Sequence, residues 1–112
     1  MRLSEQQAAF ARDVAKLINW IFDNGFAVTL GEAFRTAEQA EIYAKEGKGI
    51  KDSLHCKRLA IDLFLFDHEG HYLQDKKDYE EFGVFWESLN PHNRWGGNFP
   101  RVDCVHFERR EE

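Results

Sequence analysis

The sequence predicts an α+β fold: a small antiparallel sheet flanked by helices, with a cleft over the sheet. Three patterns predict it. Phe10, Val14, Leu17, Ile18 and Ile21 fall on one helical face, and Tyr79, Phe82, Phe85, Trp86 and Leu89 form a second. Between them, Leu59–Phe66 is a short apolar run of strand length, closed by the turn residues Asp67-His68-Glu69-Gly70. A chain of 112 residues makes a single domain, 1–112, long enough to bury a core.

Composition narrows the class. Hydrophobic residues make up 43% and aromatic residues 14%, which places the chain among globular proteins rather than disordered ones. A net charge of −5 gives no basic face for nucleic acid. No apolar stretch approaches the ~18 residues of a membrane span. Met1-Arg2-Leu3 leads straight into a polar helix start, so no signal peptide is expected. The expectation is a cytoplasmically made monomer whose action outside the cell would need another exit route. Cys56 and Cys104 do not make a disulfide framework.

The elements follow in order. Ser4-Glu5-Gln6-Gln7 reads as a capping box and Asn24-Gly25 as the stop of the first helix. Phe26–Leu30 is strand-like and runs on through Gly31-Glu32-Ala33-Phe34 to Arg35. Thr36-Ala37-Glu38-Gln39 is a second capping box, opening a helix through Tyr43 and Ala44. Arg35 thus sits at a strand-to-helix corner. It either points into a cleft or pairs locally with Glu32 or Glu38. Gly47-Lys48-Gly49 begins a loop with Lys48, Lys51, Lys57 and Arg58, either a solvated loop or a surface meeting an anionic substrate. His71-Tyr72-Leu73 reads as a returning strand, and Asp75–Leu89 as a third helix broken by Asn90-Pro91-His92-Asn93. Trp95-Gly96-Gly97-Asn98-Phe99-Pro100 reads as a loop whose glycines let backbone pass close to something. Val102–Glu108 is the last strand. The expected sheet uses the strands near Val28, Ile61, Tyr72 and Val105.

The chemistry centres on Ser53–Asp62. Asp62 lies among Leu59, Ala60, Ile61 and Leu63–Phe66, and a buried carboxylate needs a partner or a metal. His55 precedes it on a loop, and His106 follows on the last strand. Two imidazoles and a carboxylate suit one zinc ion and leave a position for water, whose pKa zinc lowers to about 7. Strand alternation puts small Ala60 on the same face as Asp62. Asp103, three residues before His106, is the natural general base. In a regular strand it would face away from His106, so the reading requires Asp103 to precede the regular strand. Cys56 and Cys104 offer an alternative, a closed Cys/His structural site. His68, His71 and His92 read as turn or loop residues.

Ser53-x-His55-x-x-Arg58-x-Ala60-x-Asp62 resembles the Ser-x-His-x-x-Gly-x-Ala-x-Asp motif of the D-Ala-D-Ala carboxypeptidase and phage endolysin family of zinc peptidases. Asp103-x-x-His106-Phe107 resembles the second motif, Phe34-Arg35-Thr36 with Glu38-Gln39 the aromatic-Arg-Thr corner, and Trp95-Gly96-Gly97 the loop before the second motif. The matches keep their order from Phe34 to Glu108.

The resemblance implies a hedgehog/DD-peptidase-like fold and one zinc on His55, Asp62 and His106. It makes Asp103 the base and then the acid, Arg35 the group that binds a substrate carboxylate or steadies the oxyanion, and Ser53 a supporting residue. Arg58 and Trp95 fall in the same motifs and are expected to bind substrate or support the site. The implied substrate is the peptidoglycan stem peptide. An aspartate at the base position resembles the L-alanyl-D-glutamate endopeptidases of phages. Alternatives are a D-Ala-D-Ala carboxypeptidase or dipeptidase, and a non-catalytic zinc module of a wall or virion. Two positions depart from the pattern: Arg58 replaces the motif glycine, and Asn98 stands where an Asp often follows Trp-Gly-Gly.

Overall fold

The computed structural model describes residues 1–50 and 52–112; Lys51 of the basic loop lies outside the described residues. The N-terminal apolar periodicity becomes α1 (Leu3–Asp23), which buries Phe10, Leu17 and Ile21. It starts earlier than its sequence signal. Arg2 occupies the cap position, and the Glu5 carboxylate accepts from the Arg2 backbone N–H at 3.2 Å. Ser4 is therefore inside the first turn. Gln6 is instead drawn into the interior, where its side-chain oxygen accepts from the Glu112 N–H and its amide donates to the Met1 carbonyl.

Two further helices follow, α2 (Ala37–Lys45) and α3 (Lys76–Leu89). Thr36 caps α2 as its sequence requires, its hydroxyl accepting from the Gln39 N–H at 3.1 Å. The strands are β1 (Ala27–Leu30), β2 (Ala60–Phe66), β3 (Asn93–Trp95) and β4 (His106–Arg109), in one antiparallel sheet of order β1-β2-β4-β3. Among the described residues no helix is long and apolar enough to cross a membrane.

The α+β class is as expected; one strand is not. Tyr72 contributes a single bridge to Phe66, and the fourth strand is Asn93–Trp95. That segment reads as a helix breaker and loop because it is only three residues long, too short to show alternation, and is flanked by Pro91 and Gly96. The Trp86 indole N–H holds it in place, reaching the Arg94 and Glu108 carbonyls at 3.2 and 3.0 Å. The last strand is also shorter than the Val102–Glu108 expected, because residues 101–105 form turns before the ladder begins.

Alternation along β2 divides the molecule. Ile61, Leu63 and Leu65 join the core with Phe107 of β4, beneath α1 and α3. Leu63 and Leu65 are fully buried, and each such side chain contributes about 2 kcal/mol. Asp62, Phe64 and Phe66 face the other way and are only partly covered. The next β4 residues alternate likewise, so His106 and Glu108 share the face of Asp62. Helices α1 and α3 cover one face of the sheet, and the site lies on the other.

Candidate metal centre

Register places two of the three proposed ligands. Asp62 on β2 is paired with His106 on β4, and directly paired residues point to the same face. The third arrives on a one-turn 3-10 helix, Leu54–Lys57. The Ser53 hydroxyl caps this turn, accepting from the His55 N–H at 3.2 Å. The turn closes at Arg58, whose φ of 56° lies in the left-handed region. That region explains the glycine expected here and costs an arginine about 1–2 kcal/mol. The Arg58 guanidinium lies over the Phe34 ring, 4.1 Å from its centroid, beside a depression lined also by Phe10, Val14 and Ile61. That depression contains none of the proposed ligands.

His55, Asp62 and His106 converge, with one potential ligand atom from each within 4.8 Å of the others. Asp62 Oδ1 is 3.4 Å from His55 Nε2 and 3.3 Å from His106 Nδ1. These separations are long for hydrogen bonds. They match the edges of a tetrahedron around zinc, about 3.3–3.4 Å when ligands lie about 2.0–2.1 Å from the ion. Donor chemistry and spacing therefore fit zinc. Neither cysteine joins the group: Cys56 Sγ faces the Thr36 carbonyl, Cys104 Sγ the Gln74 carbonyl, and both thiols are free.

The electrostatics follow from this crowding. Burial opposes charge on Asp62, but His106 and His55 outweigh it and hold the pKa down to about 2. Burial also opposes charge on His106, but Asp62 and Glu108 outweigh it and push the pKa up to about 9. Asp103 is exposed, precedes the regular strand, and lies near enough for the charges of His106, Asp62 and His55 to act on it, at the rim of the site. Loss of water raises its pKa; the Asp62 charge adds to this, while the His106 and His55 charges oppose it.

Gly96 shapes that rim. Its carbonyl accepts from the Asp103 N–H at 2.9 Å, and an added Cβ would fall 2.2 Å from the Asp103 carbonyl oxygen. Trp95 is 1% exposed, so it cannot meet substrate directly. Its indole donates to the Cys104 carbonyl at 2.8 Å and fixes the Asp103–His106 turn from below. Asn98 points to Glu87 at 3.4 Å, where an aspartate would face a like charge.

Arg35 pairs with Glu32, its Nε and Nη2 lying 2.7 and 2.5 Å from Glu32 Oε1, and its guanidinium stacks on Tyr43 at 5.0 Å. Sequence reasoning named Glu32 only as a local partner and missed Glu108 and Arg94. Glu108 Oε1 is 2.7 Å from His106 Nε2, and its Oε2 is 2.5 Å from Arg94 Nη2. The Glu108 signal was present, since a carboxylate two residues beyond a strand histidine shares its face. The Arg94 signal required the unrecognised β3.

The fold and the His-Asp-His corner together describe an α+β domain with a candidate metal site on the open face of its sheet. The chain is similar in structure to the Serratia marcescens L-Ala D-Glu endopeptidase ChiX, with a TM-score of 0.70 at 17% identity, over 96% of this chain and 86% of that one. No protein-family model matches the sequence, and no curated relative matches it.

Proposed function

We propose that the chain is a zinc-dependent peptidase of peptidoglycan stem peptides, cleaving the L-Ala–D-Glu bond. The observation that carries this is the convergence of His55, Asp62 and His106, with Asp103 near enough for the charges of all three to act on it. The motif order and the ChiX-like fold support it. A closed structural site would have no use for the rim carboxylate.

His55 Nε2, Asp62 Oδ1 and His106 Nδ1 would hold the ion. Bound there, zinc supplies a Lewis acid and a water acidic enough to attack near neutral pH. Asp103 takes the proton of that water and returns it to the leaving amine. Its raised pKa suits both steps, because it makes the carboxylate a better base and lets the carboxyl hold the proton more readily until the amine takes it. Arg35 supplies positive charge beside the site for a substrate carboxylate. The partly open face beyond Asp62, bearing Phe64 and Phe66, leaves room for a peptide to lie across the sheet.

Purified protein incubated with peptidoglycan, with and without a chelator, tests this. Chelator-sensitive release of fragments with new N-terminal D-Glu is the expected result. Release of D-Ala alone would move the activity to the D-Ala-D-Ala end. No release with zinc bound would refute the peptidase reading.

A further inference from the structure

We infer that each ligand histidine is aimed at the metal by its own carboxylate–guanidinium pair, Glu108–Arg94 behind His106 and Glu32–Arg35 behind His55. The inference rests on the metal-binding part of the proposed function and does not depend on which bond is cleaved.

An imidazole has two nitrogens, and the hydrogen bond made by one decides which is left for a metal. At His106 the choice is already made. Nε2 is held by Glu108 Oε1 at 2.7 Å, so Nδ1 is the nitrogen that faces Asp62. The register of the sheet builds this pair. Glu108 stands opposite Arg94 on β3 and opposite Ala60 on β2, all on the site face. Glu108 is 6% exposed, and Arg94 ties its second oxygen. A carboxylate held at both oxygens cannot swing away from the imidazole.

At His55 the same parts stand slightly apart. Its side chain is 3% exposed, and Nδ1 has no hydrogen-bond partner. A buried nitrogen without a partner is costly and calls for one. Glu32 Oε1 faces it at 3.7 Å. The same oxygen holds Arg35. A carboxylate has lone pairs for about four bonds, so one group can serve both. The backbone fastens this corner to the ligands. The Asp62 N–H donates to the Glu32 carbonyl at 3.0 Å, and the Arg35 N–H to the His55 carbonyl at 3.2 Å. Closure of the 3.7 Å gap leaves His55 Nε2 toward the ion. Glu32, Glu108 and Arg94 are thus positioning residues, and Arg35 gains a second task besides meeting substrate.

The test is zinc affinity, read by competition with a chromophoric chelator in Glu108→Gln and Glu32→Gln. Loss of such partners costs about 10- to 100-fold in metal affinity. Glu108→Gln is expected in that range, Glu32→Gln at its lower end, and Arg94→Lys close to the parent because it keeps the charge. Folded variants that bind zinc within about twofold of the parent would overturn the inference. Should either variant fail to fold, long-range proton–nitrogen NMR of the unaltered zinc-loaded protein decides. The inference requires the proton on Nε2 of His106 and on Nδ1 of His55. A zinc-loaded protein with either assignment reversed would refute it. Neither readout uses peptide cleavage, so failure of the peptidase reading would remain distinguishable.

Discussion

Asp62 and His106 stand opposite one another on neighbouring strands, whereas His55 and Asp103 come from turns. The two halves are built by different means. In the sheet half, side-chain direction is a consequence of register: a slip of one residue would turn Asp62 into the core. In the turn half, direction depends on local devices. The Ser53 cap, the left-handed Arg58 and the close backbone approach at Gly96 each place one functional group. The sheet half already has its imidazole locked by Glu108, while the turn half has a buried nitrogen still waiting on Glu32. The contrast separates holding a metal from using it. Asp62 touches both histidines, where the proposal puts metal binding; Asp103 sits on a turn beside them, where the proposal puts the reaction.

Substitutions can break this division, beginning with the largest effect. Asp62→Asn removes the charge shared by His55 and His106, so zinc is lost and peptide cleavage falls by about 1,000-fold or more, since the ion supplies several kcal/mol of barrier lowering. Metal content and fragment release in one preparation check this; retained zinc would contradict it. Asp103→Asn is expected to lower cleavage by about 100- to 10,000-fold while one zinc per chain remains. Loss of zinc in that variant would merge the two halves.

Smaller effects sharpen the contrast. Arg58→Gly relieves the left-handed strain of about 1–2 kcal/mol and forfeits a cation–π contact of about 0.5–1 kcal/mol. A rise of a few degrees in Tm is expected, and Arg58→Ala, which keeps the strain and loses the contact, should lower it. A lower Tm in the glycine variant would show that the side chain outweighs the backbone. A further effect belongs to the metal-free protein. The folded pKa of His106 is raised from 6.5 to about 9, so its stabilisation is complete below pH 6.5 and is lost as pH rises through about 9. Denaturant unfolding near pH 6 and near pH 10 should show the metal-free protein less stable at the higher pH. With zinc on Nδ1 that proton is absent, and the loss should vanish.

The same division explains what was legible in the sequence. Asp62 announced itself because a carboxylate in an apolar run is chemically anomalous, and His55, His106 and Asp103 because their spacing resembles that of a zinc-peptidase family. The helices were legible from their apolar faces, with α1 displaced at its start because Glu5, not Gln7, reaches the cap position. Asn93–Trp95 was not legible: its strand character comes from Trp86 and β4, which lie outside any local window. With β3 unseen, Arg94 could not be placed beside Glu108. Trp95 was recognised by its motif, but burial against the Cys104 carbonyl gives it a role beneath the site instead of within it.

The most direct measurement is the absorption spectrum of metal-free protein titrated with cobalt(II) as a stand-in for zinc. One ion per chain, with bands of a four-coordinate nitrogen–oxygen site that change on loss of His55, Asp62 or His106, is the predicted result. A thiolate-to-cobalt charge-transfer band would instead place Cys56 or Cys104 on the metal and contradict the open three-ligand centre.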